Sequence, residues 1–166
     1  MIIELSADEG MAAVSVAAMQ MFRTIRKGRS VDHGGSSDRT LTERWGNIIH
    51  GNMAEIAVSR ALYRPWTPGG AKISRGEIGG DIEVRATEHK NGHLLIYEND
   101  LDDKWVVLAV GHWPTFRIVG AILAGEAKRI IPINTDAKPP CYWVPQQSLS
   151  DWRHLISGEQ HDPDRA

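Results

Sequence analysis

Apolar residues recur at three- and four-residue steps between Met11 and Ile25, the spacing of a helix with one face to bury. Met11, Val14, Ala18, Met21, Phe22 and Ile25 are its expected buried positions. Ser6 and Glu9 have capping-box spacing, so the helix is expected to start there, run to about Lys27 and end at Gly28. Ahead of it, Ile2 to Leu5 predicts a short edge strand. A second helical period, carried by Trp45, Ile48, Ile49, Met53, Ile56 and Leu62, predicts a helix capped by Thr42 and reaching about Tyr63. Small residues in its middle, Gly51, Ala54, Ala57 and Ser59, would let it approach a sheet closely. Arg64-Pro65 stops it, because the residue before a proline is pushed out of the helical region.

The period then changes. Asp81 to Thr87 alternates polar and apolar, and His93 to Glu98 follows an Asn91-Gly92 turn. Trp105 to Val110 is almost continuously apolar, and Phe116 to Leu123 is a fourth candidate strand. The run from Val106 to Val110 is apolar on both faces, which places it inside a sheet with its neighbours flanking it. After prolines 132, 139 and 140, Tyr142 to Val144 predicts a last short strand, and Ser148 caps a helix to about Ile156. The expectation is an α/β fold, a central mixed β-sheet flanked by helices, in one domain over residues 1–156. Residues 28–41 have little to bury and predict a mobile loop; residues 157–166 predict a frayed polar tail.

Composition narrows the setting. A chain of 166 residues with 42% apolar content can close a core without metals or disulfides. Its single cysteine, Cys141, cannot form an internal disulfide and suits a reducing cytoplasm, the expected location. The opening Met1-Ile2-Ile3, followed by acids, does not resemble a secretory signal, and no stretch is apolar enough to span a bilayer. A net charge of -2 argues against a protein that coats nucleic acid through its overall field, so any such contact is local. Arg23, Arg26, Lys27 and Arg29 form the densest cationic run, suited to phosphates or simply to a helix C-terminus. The seven histidines show no zinc-site spacing; His89 and His93 flank the Asn91-Gly92 turn. Trp45, Trp105 and Trp143 fit core positions, whereas Trp66 and Trp113 sit beside prolines, where they could stack on a base or pack at a rim.

The chemistry concentrates between Glu77 and Arg85. Strand alternation puts Asp81, Glu83 and Arg85 on one side and Ile82, Val84 and Ala86 on the other. Two carboxylates beside a cation suit a hard divalent ion, which needs only one or two of them. The same pattern also occurs on solvated strand faces. Glycines 76, 79 and 80 allow a tight turn that would bring Glu77 back beside Glu83, and Glu55, amid the small residues of the second helix, could face the same place.

Gly51-Asn52-Met53-Ala54-Glu55-Ile56-Ala57, then Glu77-Ile78-Gly79, then Glu83-Val84-Arg85 resemble the helix glutamate, first acid and E-x-K element of the PD-(D/E)xK nuclease superfamily. The chain is similar to small phage and prophage proteins of that superfamily. Asn91-Gly92, Pro114-Thr115-Phe116-Arg117-Ile118-Val119-Gly120 and Tyr142-Trp143-Val144-Pro145-Gln146 carry the rest of the likeness, over about Ile48 to Leu155. The resemblance implies a restriction-endonuclease-like core and Mg²⁺- or Mn²⁺-dependent cleavage of nucleic acid, DNA rather than RNA. Glu83 and a first acid, Glu77 or Asp81, would bind metal, and Glu55 would hold or orient a second ion or water. Arg85 replaces the usual lysine, stays protonated, and cannot easily act as a base. Lys90 could reach in from the turn, and Gln146 could contact substrate or cap the helix after it. Two readings follow: a DNA endonuclease or nickase, or an inactive relative serving as a structural, regulatory or anti-defence component. A homodimer or a phage protein partner is compatible with either.

Overall fold

A computed structural model describes residues 1–26, 40–68 and 77–156; Lys27, Arg29 with the rest of 28–39 and the expected tail lie outside the described residues, while Thr40 and Leu41, the end of the loop expected over 28–41, cap and begin a helix. Strand β1 (Ile2–Glu4) leads into helix α1 (Ala7–Arg26). The capping box forms as expected, with the Ser6 N–H donating to Glu9 Oε2 at 2.7 Å and the Glu9 N–H donating to Ser6 Oγ at 3.3 Å. Helix α2 (Leu41–Leu62) is capped by Thr40, not Thr42, because Glu43 lies where the box needs its acid. It ends on Tyr63 in the left-handed conformation, φ 54°.

The expected burial of α1 is corrected. Gly10, Ala13, Ala17 and Met21 are buried, whereas Met11, Phe22 and Ile25 are more than half exposed. Small residues let the two long helices approach closely, so contact area rather than side-chain hydrophobicity selected the buried face. Asn52 of α2 sits in this seam and donates to the Ala13 carbonyl at 3.2 Å.

The main sheet has the order β1-β5-β4-β2, formed with β2 (Ile82–Thr87), β4 (Trp105–His112) and β5 (Thr115–Leu123). It is mixed: β2 runs parallel to β4, and β5 runs antiparallel to both β4 and β1. β4 is interior, as its two apolar faces require, and β2 is an edge. One face packs on α2 through Ile82, Val84, Val107 and Ala109; the other, through Val106, Leu108 and Val110, packs against a second, smaller sheet. That sheet, order β3-β7-β6, contains β3 (Leu94–Tyr97), β6 (Ile133–Asn134) and β7 (Cys141–Val144).

Three features differ from expectation. The Asn91-Gly92 turn does not close a hairpin, since β3 leaves the main sheet to pair with β7 while β4 returns beside β2. Helix α3 (Ala124–Ile130), not anticipated, follows β5 directly and buries Ala124 and Ala127. The helix expected from Ser148 is two 3-10 turns, Gln146–Ser148 and Trp152–Leu155, broken where Ser150 bridges to Ala121.

Candidate carboxylate site at the open edge of β2

Ile82 and Val84 are buried against α2, which turns Glu83 and Arg85 to the other face, as alternation requires. Because β2 is an edge strand, its free backbone groups are open to the preceding segment. Ile78 bridges antiparallel to both Ile82 and Trp66, and the turn between passes through Gly79 (φ 63°) and Gly80 (φ 87°). Both angles are strained for a residue with a side chain. Buried Lys104 donates to the Gly80 carbonyl at 2.9 Å and pins the turn. Glu77 is thereby returned to the strand edge, where its Oε2 accepts the Val84 N–H at 3.2 Å.

From α2, Glu55 reaches the same edge, and its Oε2 accepts the Trp66 indole N–H at 2.7 Å. Burial, then the charge of Glu77, push its carboxyl up to about 8, more than the Trp66 bond and Arg85 can offset. Glu77 is also held above its usual range, first by burial and then by Glu83. Glu55, Glu77 and Glu83 therefore form one electrostatic cluster drawn from a helix, a turn and a strand.

Arg85 is committed to its neighbours. One guanidinium nitrogen lies 3.1 Å from Glu83 and 2.9 Å from Asp100, and the group sits 5.7 Å from the Tyr97 ring centre. Its buried Nε has no hydrogen-bond partner among the described residues. Burial alone would lower its pKa, but Asp100, Glu83 and Glu77 more than reverse this. Asp100 also accepts the Tyr97 N–H, at 2.9 Å. Sequence reasoning missed both Asp100 and the Trp66 bond. Nothing in the spacing of the 98–103 segment links it to β2, because the link is made through β3.

The other candidates separate. Asp81 pairs through both oxygens with Arg64, at 2.8 and 2.9 Å, whereas Glu77 is the acid bonded to the strand edge. Gln146 turns inward, donating to the Lys90 and Gly92 carbonyls at 2.9 and 3.0 Å, so it secures the turn. Lys90 is exposed on that turn, and Arg23 and Arg26 are exposed at the end of α1. Trp45 and Trp143 are 42% and 46% exposed, not core residues; Trp113 lies over Gly10.

Among the described residues, no group of three or more histidine, cysteine or acidic side chains is arranged to hold a metal ion by itself. Glu77 and Glu83 offer only hard oxygen donors in a setting that repels further negative charge. This fits a partly hydrated Mg²⁺ or Mn²⁺ completed by substrate oxygens, not a cage built by the protein alone. No family model matches this chain, and no curated protein or solved structure matches it. No helix among the described residues is long and apolar enough to cross a membrane.

Proposed function

We propose that this protein is a Mg²⁺- or Mn²⁺-dependent phosphodiesterase acting on DNA, a PD-(D/E)xK endonuclease or nickase of phage or prophage type with a restriction-endonuclease-like core. The supporting observation is the meeting of Glu55, Glu77 and Glu83 at one strand edge, with two of their carboxyls held above the usual range. A cytoplasmic site of action, and work as a homodimer or with a phage protein partner, belong to the same proposal.

A divalent ion bound at Glu77 and Glu83 would polarise the phosphate and acidify water. The protein's own groups supply the rest. Hydrolysis forms a phosphorus–oxygen bond from water and breaks the one to the leaving sugar oxygen, so one oxygen loses a proton and another gains one. Glu55, pushed up to about 8 by burial and Glu77 and drawn down again by a neighbouring cation, is suited to exchange that proton. Arg85 holds the Glu83 carboxylate in position, which makes it a positioning residue here.

The test is cleavage of plasmid and single-stranded DNA with each metal. Wild type should cut, and Glu83→Ala should abolish cutting; an inert wild type or an unimpaired variant would sink the proposal. A second reading, an inactive binding component, is favoured by the engagement of Arg85 with both Glu83 and Asp100. It requires nucleic-acid or protein binding that persists without metal and after Glu83→Ala.

A further inference from the structure

A cleft of about 510 Å³ adjoins the carboxylate cluster, between the turn after β2 and the outer face of the β3-β7-β6 sheet. Arg85 lies at one side, and His89, His93, Tyr97 and Trp143 line the remainder with Leu95. Strand geometry explains the grouping. Leu94 and Ile96 are buried, so His93, Leu95 and Tyr97 face outward, and Leu95 pairs across the ladder with Trp143. Trp143 is 46% exposed, and its ring lies 5.8 Å from His93 at 36°. Both histidines flanking the turn thus stand beside the site.

Cross-strand aromatic contact alone would account for a flat platform. The turn after β2 gives that platform a second side, making an open cleft whose wall is mainly apolar and which, among the described lining residues, contains no acid. With a divalent cation held by the neighbouring carboxyls, such a wall could receive a flat, weakly polar group attached to a phosphate. Tyr97 links the two regions, touching Arg85 on one side and lining the cleft on the other.

We propose that this cleft binds a nucleobase of an unpaired nucleotide, stacked on Trp143, while the adjoining phosphate lies at the carboxylate edge. The inference rests on the nuclease reading and specifies its substrate as single-stranded, frayed or flipped DNA, because a continuous duplex hides its base faces.

Fluorescence anisotropy of a labelled oligothymidylate, with the full chain in Ca²⁺ as a hard oxygen-binding cation for the carboxylate edge, tests it apart from cleavage. Wild type should bind the single strand more tightly than a duplex of equal length. Trp143→Ala should weaken single-strand binding roughly 5- to 100-fold. Trp143→Phe should keep most of it, and Trp143→Leu, which preserves apolar cover on the strand, should lose it. An abasic strand should bind wild type and Trp143→Leu alike. No binding by wild type, unchanged binding by Trp143→Leu, or an equal loss on the abasic strand overturns the inference. Metal-dependent cutting left intact by Trp143→Leu, with unchanged KM, keeps the nuclease reading and removes this one. Stacking-dependent binding without any cutting keeps this one and removes the nuclease.

Discussion

Glu55→Gln isolates the electrostatic state of the site. Glutamine has the same shape and still offers an oxygen to the Trp66 indole, so the 2.7 Å bond can survive while the charge is removed. The folded carboxyl titrates near 8 against a reference of 4.5, so between these values the folded state holds more protons than the unfolded one. Stability contributed by the neutral acid is complete below about pH 4.5 and is lost as pH rises towards 8. At about 1.4 kcal/mol per pH unit this sets a ceiling near 5 kcal/mol. Glu77 shares the repulsion and takes up protons with Glu55, so the expected difference is on the order of 2 kcal/mol. Urea unfolding in EDTA should find Glu55→Gln close to wild type at pH 5 and more stable by that amount at pH 8.5. A difference that does not change between those pH values would refute the reasoning.

Other substitutions separate the roles of neighbouring groups. Asp81→Asn removes a half-exposed pair with Arg64, so it should cost about 1 kcal/mol or less in urea unfolding and leave metal-dependent cutting intact, whereas Glu77→Gln should abolish cutting. Arg85→Ala leaves Glu83 and Asp100 without their shared cation and should cost about 3 kcal/mol; an unchanged melting temperature would contradict the pairing. Gly111→Ala, at φ 141° with the Thr115 carbonyl in the way of a Cβ, should destabilise by on the order of 2 kcal/mol in thermal unfolding.

Local pattern carried much of the fold. The alternation from Ile82 to Thr87 and the apolar run of β4 mark strands whose neighbours decide little about their existence. Partner choice is another matter. An Asn-Gly pair encodes a reversal of direction, but whether β3 then lies beside β2 depends on competition from β4, a longer strand buried on both faces. The burial of α1 was illegible for a similar reason. Gly10, Ala13 and Ala17 are weakly hydrophobic, and only their neighbours, the Trp113 ring over Gly10 and helix α2 along the seam, give their small size its value. At the site, Glu83 and Arg85 follow from strand geometry alone. The choice between Glu77 and Asp81 does not, because it turns on Arg64, which emerges from the left-handed Tyr63 cap and takes Asp81 for itself.

Charge balance is what separates a cation site from an ordinary solvated strand face. On a solvated face each carboxylate keeps its water, and one arginine beside two acids needs nothing more. Here Glu55, Glu77, Glu83 and Asp100 are gathered around Arg85, and burial is the leading cause of the upward displacement of both Glu55 and Glu77. Four carboxyls thus face one guanidinium, and those of Glu55 and Glu77 are displaced upward, so the negative charge available at this edge is in excess of what Arg85 alone offsets. A divalent cation at Glu77 and Glu83 would balance that excess and, by the same electrostatics, draw the Glu55 proton off. The pH-dependent gain expected for Glu55→Gln in EDTA should therefore shrink when Mn²⁺ is present. An electrostatic penalty that persisted undiminished in Mn²⁺ would mean that the cluster holds its excess charge for some purpose other than binding a metal.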